Sequence, residues 1–192
     1  MVLDHQQIEA AKRKCRMWYV IQVKTGQELD IVNQCRGRII WENEDVFTMF
    51  GEKKCRFRGE WKLKRYLLFP GYVFIETKDI DDFRIRLHEI KAMTKVLKIG
   101  EDVVPVWPEE EEFLRQLGGE NHIAGYSEGY LEGERLVVID GAMQGYEGKV
   151  KRLDRHHRLV TIEVPLLGHL VEVQLGLGIV KRLEEQGMNK KP

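Results

Sequence analysis

Two clusters of cations concentrate the chemistry that this sequence can do. Lys149, Lys151, Arg152, Arg155, His156, His157 and Arg158 crowd one short stretch, opposed mainly by Asp154. Lys53, Lys54, Arg56, Arg58, Lys62, Lys64 and Arg65 crowd another, against Glu52 and Glu60, with Phe57 and Trp61 interleaved. The formal net charge is zero, so a polyanionic partner can be read only from where the charges sit. Clustered cations are the footprint of a phosphate backbone, and aromatic rings between cations suit stacking on unpaired bases. Each cluster has a plainer alternative: a solvated polar turn for the first, an edge hairpin guarded by cations for the second.

Little else in the chain is chemical. No Ser-His-Asp-like set, phosphate loop or metal-ligand spacing stands out, so the sequence implies a binding protein, not an enzyme, and no cofactor. Cys15, Cys35 and Cys55 lie twenty residues apart, which is neither a zinc spacing nor an even disulfide set. They read as reduced thiols, with Cys35 a small apolar residue on a helix face. Apolar content of 43 % with 32 % charged residues, over 192 residues, fits one or two folded domains and excludes wholesale disorder. No run approaches the ~18 apolar residues that cross a bilayer. Residues 1–16 lack the apolar block of a signal peptide, so the expected compartment is the cytoplasm, with no membrane partner.

The elements that position these clusters follow from periodicity. Trp18–Val23 alternates as a strand. Thr25-Gly-Gln-Glu28 fits a capping box opening a helix over 26–41, with Leu29, Val32, Cys35 or Arg36, and Ile39 inward. Residues 53–67 read as a hairpin turning near Gly59-Glu60, and Phe69–Ile75 as a strand entered through Pro70-Gly71. Asp79 or Thr77 caps a second helix bearing Phe83, Leu87 and Ile90. Thr94–Ile99 is a strand, and Pro108 starts a last helix with Glu109–Glu112 at its N-terminal dipole. The order βαββαβ plus a helix predicts an α+β, ferredoxin-like sandwich. Residues 118–131 lose periodicity and collect glycine, which predicts a flexible linker.

Beyond the linker, Val138-Ile-Asp-Gly-Ala-Met-Gln-Gly-Tyr-Glu-Gly-Lys-Val150 leads into the alternating runs Leu159–Val164 and His169–Gln174. Asp140-Gly141 supplies a turn where positive φ costs little, and Gly145 and Gly148 follow closely. Short strands with turns about every eight residues describe a small barrel. The glycine spacing resembles the KOW motif, which implies an SH3-like β-barrel. Trp18-Tyr-Val opening the first strand, Phe69-Pro-Gly-Tyr-Val-Phe74 in the sheet, a glycine-rich linker and a KOW barrel together resemble the NusG family of transcription elongation factors. The implied domains are 17–117 (NGN), the linker 118–131 and 132–185 (KOW). Residues 1–16 are left as a helical or disordered N-terminal extension, and 186–192 as a tail.

The resemblance implies a monomer whose NGN domain docks on the clamp helices of the RNA polymerase largest subunit. Carried over by position, Tyr19, Phe69, Pro70, Tyr72 and Phe74 would line that interface, although alternation along the strand forbids all of them from facing one side. It also implies that Arg56, Arg58, Lys62 and Lys64 on the hairpin, with Lys24, Arg36 and Arg38, lie near the non-template DNA strand. Where the family pattern has an aromatic before a Gly-Arg pair, this chain reads Leu167-Gly-His169. That departure and the basic turn resemble the LoaP paralogues, which implies processive antitermination after a nascent RNA hairpin is bound by Lys149, Lys151, Arg152, Arg155, His156, His157 and Arg158. Two alternatives remain: a general NusG factor coupling polymerase to Rho or the ribosome, and a KOW-type ribosomal or RNA-binding module.

Overall fold

Strand β1 (Met17–Val23) buries both of its faces, which is possible only in the middle of a sheet covered on both sides. Its neighbours are β5 (Tyr72–Thr77) and β6 (Thr94–Val96), and β2 (Asp45–Phe47) closes the far edge, giving an antiparallel sheet ordered β2-β5-β1-β6. The computed structural model describes residues 16–90, 94–96, 98–99 and 102–180. The expected extension (apart from Arg16), Cys15 and the expected tail lie outside the described residues.

Alternation sorts the side chains. Tyr19, Ile21, Val23, Val73 and Ile75 face helices α1 (Glu28–Arg38) and α2 (Ile80–Leu87), where they meet Ile31, Val32, Cys35, Phe83 and Leu87. Trp18, Val20, Phe47 and Phe74 face the other way, towards helix α3 (Pro108–Gly118) with Phe113, Leu114 and Leu117. This is the α+β, ferredoxin-like sandwich that the element order predicted.

The strand expected over 94–99 is divided: β6 ends at Val96, and β7 (Lys98–Ile99) pairs with β8 (Asp102–Val103) instead, while the strand expected over 69–75 runs as Tyr72–Thr77. Three further details differ from the sequence reading. The sheet takes its fourth strand from Asp45–Phe47, and the 53–67 hairpin forms a separate ribbon: β3 (Phe50–Phe57), β4 (Glu60–Leu67) and the short parallel β9 (Ile123–Ala124). At α1, Gln27 is the N-cap and no side chain caps it, so the Thr25 half of the expected capping box is not formed. Glu28 turns inward instead, its carboxylate accepting the N–H of Gly26 at 2.8 Å and of Gly71 at 2.6 Å. With Glu28 buried, the inward face runs through Ile31, Val32 and Cys35, and Leu29 swings out to 50 % exposure. Finally, the segment read as a linker holds β9 and most of β10 (Ser127–Glu132), because backbone pairing with β3 and with the barrel outweighs its glycines.

The second unit is all strand apart from a 3-10 turn at Glu147–Lys149. Its order is β11-β10-β14-β13-β12, with β11 Arg135–Asp140, β12 Val150–Asp154, β13 Leu159–Leu166 and β14 His169–Ile179. Gly141 has φ +95°, and a Cβ there would stand 2.5 Å from the backbone of Tyr126 and Ser127, so the close passage expected of the Asp-Gly turn is present. The glycine-spaced segment therefore builds the small barrel predicted from it.

The two units are docked. One apolar cluster runs from Trp18, Phe69, Phe74, Phe113 and Leu117 into Val138, Met143, Ile162, Leu167 and Leu175 of the barrel. Polar contacts line the seam: Lys54 pairs with Glu128 at 2.8 Å, and the Tyr66 hydroxyl donates to the carbonyl of Gln174. Burial pushes the Tyr66 phenol up to about 12. Strand β14 runs so close to β3 that a Cβ on Gly176 would stand 2.2 Å from the Glu52 carbonyl oxygen.

Candidate nucleic-acid interface

The β3–β4 ribbon stands away from the main sheet, and every residue of β4 from Glu60 to Arg65 is exposed. Register places Lys53 opposite Lys64, Cys55 opposite Lys62 and Arg56 opposite Trp61. Directly paired residues share a face, so one face collects Lys53, Lys62, Lys64 and Phe57, and the other Lys54, Arg56, Trp61 and Leu63. Phe57, Trp61 and Leu63 are 55 %, 43 % and 52 % exposed, a solvent-facing apolar content that a purely protective edge hairpin does not need. Lys62 and Arg58 sit over the Phe57 ring at 5.4 and 5.3 Å.

The basic turn of the barrel joins β12 to β13 through residues 155–158. Asp154 organises it: its carboxylate accepts the His157 N–H at 2.9 Å and lies 2.7 Å from His157 Nδ1. Those backbone and side-chain hydrogen bonds hold the Asp154 carboxyl below its ordinary range. Arg152, Arg155, His156 and His157 are exposed. Two expected members of the cluster point elsewhere. The Lys149 ammonium sits 4.8 Å over the Phe113 ring in the seam, and Lys151 pairs with Glu163 beside the irregularity between Val150 and Arg152.

Docking brings the two clusters together. The Arg158 guanidinium lies 3.8 Å over the Trp61 ring, joining barrel turn to hairpin. A cleft of about 580 Å³ opens beside this contact, with Cys55, Arg56 and Trp61 on one wall and His156, His157 and Leu159 on the other. Lys53 and Lys54 complete the lining; Lys53 stands 4.8 Å over the Tyr66 ring and Lys54 4.3 Å over Tyr126. Lys24 and Arg38 are exposed on the loop after β1 and at the end of α1, and Arg36 pairs with Asp45 at 2.9 Å.

The residues matched to a polymerase interface divide, but not by alternation alone: Phe69 and Pro70 lie in the turn before β5, and Phe69 joins the same cluster as Tyr72 and Phe74. Tyr19 packs beneath α1 and α2, its phenol pushed up by burial and then by Asp81 and Asp79, so it shares no face with Tyr72. Phe69 and Phe74 are buried, 5.7 Å apart edge to face, and Phe74 stacks on Phe47 at 5.5 Å. Tyr72 is half-buried against the same cluster and Pro70 is exposed. Sequence reasoning did not find Glu110. Noted there only as an acid in a first helical turn, it is buried and accepts barrel N–H groups from Leu167 at 2.8 Å and Gly168 at 3.1 Å. Among the described residues no group of His, Cys, Asp and Glu could hold a metal ion, and no helix is long and apolar enough to cross a membrane.

Comparison with known proteins accounts for this architecture. The family model described as transcription termination factor nusG matches residues 16–115. The transcription termination/antitermination protein NusG of Rickettsia typhi is 24 % identical, over 91 % of this chain and 94 % of its own length. Its namesake from Buchnera aphidicola is 26 % identical over 87 % and 96 %, and that from Borreliella burgdorferi 25 % over 88 % and 99 %. A solved structure, that of domain interaction in Thermotoga maritima NusG, shares the fold with a TM-score of 0.51 at 19 % identity, covering 90 % of this chain and 99 % of that one. With more than half of its residues matched by the family model, this chain belongs to the NusG family of bacterial transcription factors.

Proposed function

We propose that this chain is a specialised elongation factor. Its first domain docks on the clamp helices of the RNA polymerase largest subunit, and a nascent RNA hairpin bound at the barrel turn recruits it for processive antitermination. The observation that carries the reading is the aromatic face of the sheet. Phe69, Tyr72 and Phe74 belong to a cluster completed by residues of the barrel, a separate unit in sequence. An apolar face closed by an exchangeable domain suits a partner that takes that domain's place, since interface centres favour large aromatic anchors. The exposed hairpin cations Arg56, Arg58, Lys62 and Lys64 suit the non-template strand, and the exposed turn residues Arg152 and Arg155 suit RNA phosphates. The factor acts as a monomer in the bacterial cytoplasm and needs no cofactor.

The general NusG role, coupling polymerase to Rho or the ribosome, is the second reading, favoured by the names of the relatives. Against it, Leu167, which stands at the aromatic position of the family pattern, is buried against the first domain, while Gly168 and His169 stay exposed. The experiment is retention of RNA polymerase on the immobilised chain, with and without the leader RNA of the operon adjoining the gene. Retention lost in Tyr72→Ala and improved when polymerase is presented as an elongation complex still tethered to the leader transcript, which raises the local concentration of its partner, supports the proposal. Retention indifferent to the leader, joined by capture of Rho, supports the general factor.

A further inference from the structure

We infer that the docked arrangement builds a binding site for unpaired nucleotides of RNA in the cleft between the β3–β4 hairpin and the β12–β13 turn, a site that neither domain holds alone. The inference rests on the RNA-binding reading above and locates where an unpaired base would sit. The cleft volume of about 580 Å³ falls within the roughly 300–1,000 Å³ of sites that enclose a small organic group. Its surfaces have the two chemistries of a nucleotide. Trp61 and the Arg158 guanidinium offer flat faces for a base, and Arg56, Lys53 and the paired imidazoles of His156 and His157 surround the space a phosphate would take. The nearby carboxylates are occupied: Asp154 by His157, Glu128 by Lys54, and Glu60 by Lys62 at 4.0 Å. Arg158 and Lys53 rest on aromatic rings instead of carboxylates, which leaves their charge available.

The occupant is RNA for a geometric reason. A base reaches this cleft only when it is out of a stack, and loops of a structured transcript present such bases where duplex nucleic acid does not. A free factor with its domains docked meets unpaired nucleotides chiefly as transcript, since DNA outside the transcription bubble is paired.

Because the two walls come from different domains, affinity must depend on docking. Glu110 gives a handle far from the cleft: it holds the turn after Leu166, whereas the cleft lies at Leu159, and β13 spans about 23 Å between those ends at its usual rise. The test uses the full chain and a fluorescein-labelled stem–loop from the adjoining leader RNA, its DNA counterpart, and the blunt RNA stem. Trp61→Ala and Arg158→Ala should each weaken the RNA stem–loop about tenfold, the size of one base–aromatic contact, and the double variant should be little worse than either. Glu110→Ala, or Glu110→Ala joined with Tyr146→Ala (whose ring packs on Phe113 across the seam) should the first alone fail to open it, should weaken it as well. RNA should also slow maleimide labelling of Cys55 in a Cys15→Ser chain, Cys35 being buried. If opening the seam, seen by NMR, leaves RNA affinity and Cys55 labelling unchanged, the barrel binds alone and the composite site is wrong, while the RNA reading survives. Equal affinity for the DNA stem–loop or the blunt stem overturns the assignment to unpaired RNA. Absence of any RNA binding overturns both.

Discussion

Glu110 and Leu167 meet across the domain seam, the carboxylate accepting the Leu167 N–H at 2.8 Å. The same carboxylate accepts the Gly168 N–H at 3.1 Å and the Trp107 N–H at 3.3 Å, so one buried anion both closes the start of α3 and grips the β13–β14 turn. Leu167 adopts φ +52° there, a strained setting for a branched side chain that the two hydrogen bonds help to hold.

Glu110→Ala should therefore release the barrel. It leaves two seam N–H groups without their acceptor, each costing about 1–3 kcal/mol while docked and nothing once water reaches them. The docked population should fall at least about tenfold. Amide chemical shifts of Tyr146 and Leu167 should move to those of the isolated barrel; shifts that stay put would show that the apolar seam suffices without Glu110.

Tyr72 and Phe74 should separate cleanly as variants. Phe74 is fully buried and stacked on Phe47, so Phe74→Ala should cost about 3–5 kcal/mol and lower the melting temperature. Tyr72 is only half-buried, and Tyr72→Ala should leave the circular-dichroism spectrum near wild type while weakening polymerase binding roughly thirtyfold. Equal unfolding in both would place Tyr72 in the core and remove it from the docking surface.

RNA binding should show an uneven salt dependence across the basic turn. If about four phosphates are engaged, log K falls with log salt at a slope of roughly −3 to −4, and each lost cation flattens it by about one. Arg152→Ala and Arg155→Ala should each do so, because both side chains are exposed. Lys151→Ala should do less, since its ammonium is already paired with Glu163. Titration at several salt concentrations decides; an unchanged slope in the triple Arg152, Arg155 and Arg158 variant would reduce the turn to a solvated surface.

Stability should fall in mild acid through His122. Its ring stacks on Phe47 at 3.6 Å, and burial lowers its pKa despite Asp45 and Glu76, which pull it up. With the folded pKa below the unfolded value of about 6.5, the unfolded chain binds the extra proton first. His122 thus stabilises the fold fully above that value, and the contribution drains away as pH falls towards the folded pKa. His122→Asn, a residue that tolerates the φ of +55° found here, should flatten the melting-temperature curve between about pH 5 and 7. A curve as steep as wild type would assign the acid sensitivity to other groups.

Local patterns were legible and long-range choices were not. Alternation marks a central strand at Trp18–Val23 and another within Phe69–Ile75, although β5 begins only at Tyr72; that Tyr19 and Tyr72 face apart follows from register, Tyr19 lying opposite Ile75 and Gln22 opposite Tyr72. Asp45–Phe47 is only three residues long and becomes a strand by pairing with β5, information held in another segment. The same holds for β9 and β10 in the supposed linker, whose partners lie in β3 and β14. The basic clusters could be named residue by residue, but not their meeting, which depends on how two domains dock. Glu110 was hidden most deeply: a glutamate in a first helical turn looks like a dipole complement on the surface, and only tertiary structure supplies buried amides for it. Glu28 was read as half of a capping box and does accept the nearby Gly26 amide, but its second amide, from Gly71, comes from a distant segment.

Gly176 writes the meeting of the two domains into a single codon. Backbone faces backbone where β14 passes β3, and one methyl group there would collide with Glu52 and Lys53, neither of which can yield by turning a side chain. The methyl would also stand 2.7 Å from the Tyr126 ring, although the main-chain pairing of Gly176 with Leu159 does not involve that side of the residue. A single nucleotide change from a glycine codon to an alanine codon would thus set a side chain against the closest main-chain approach between the two domains.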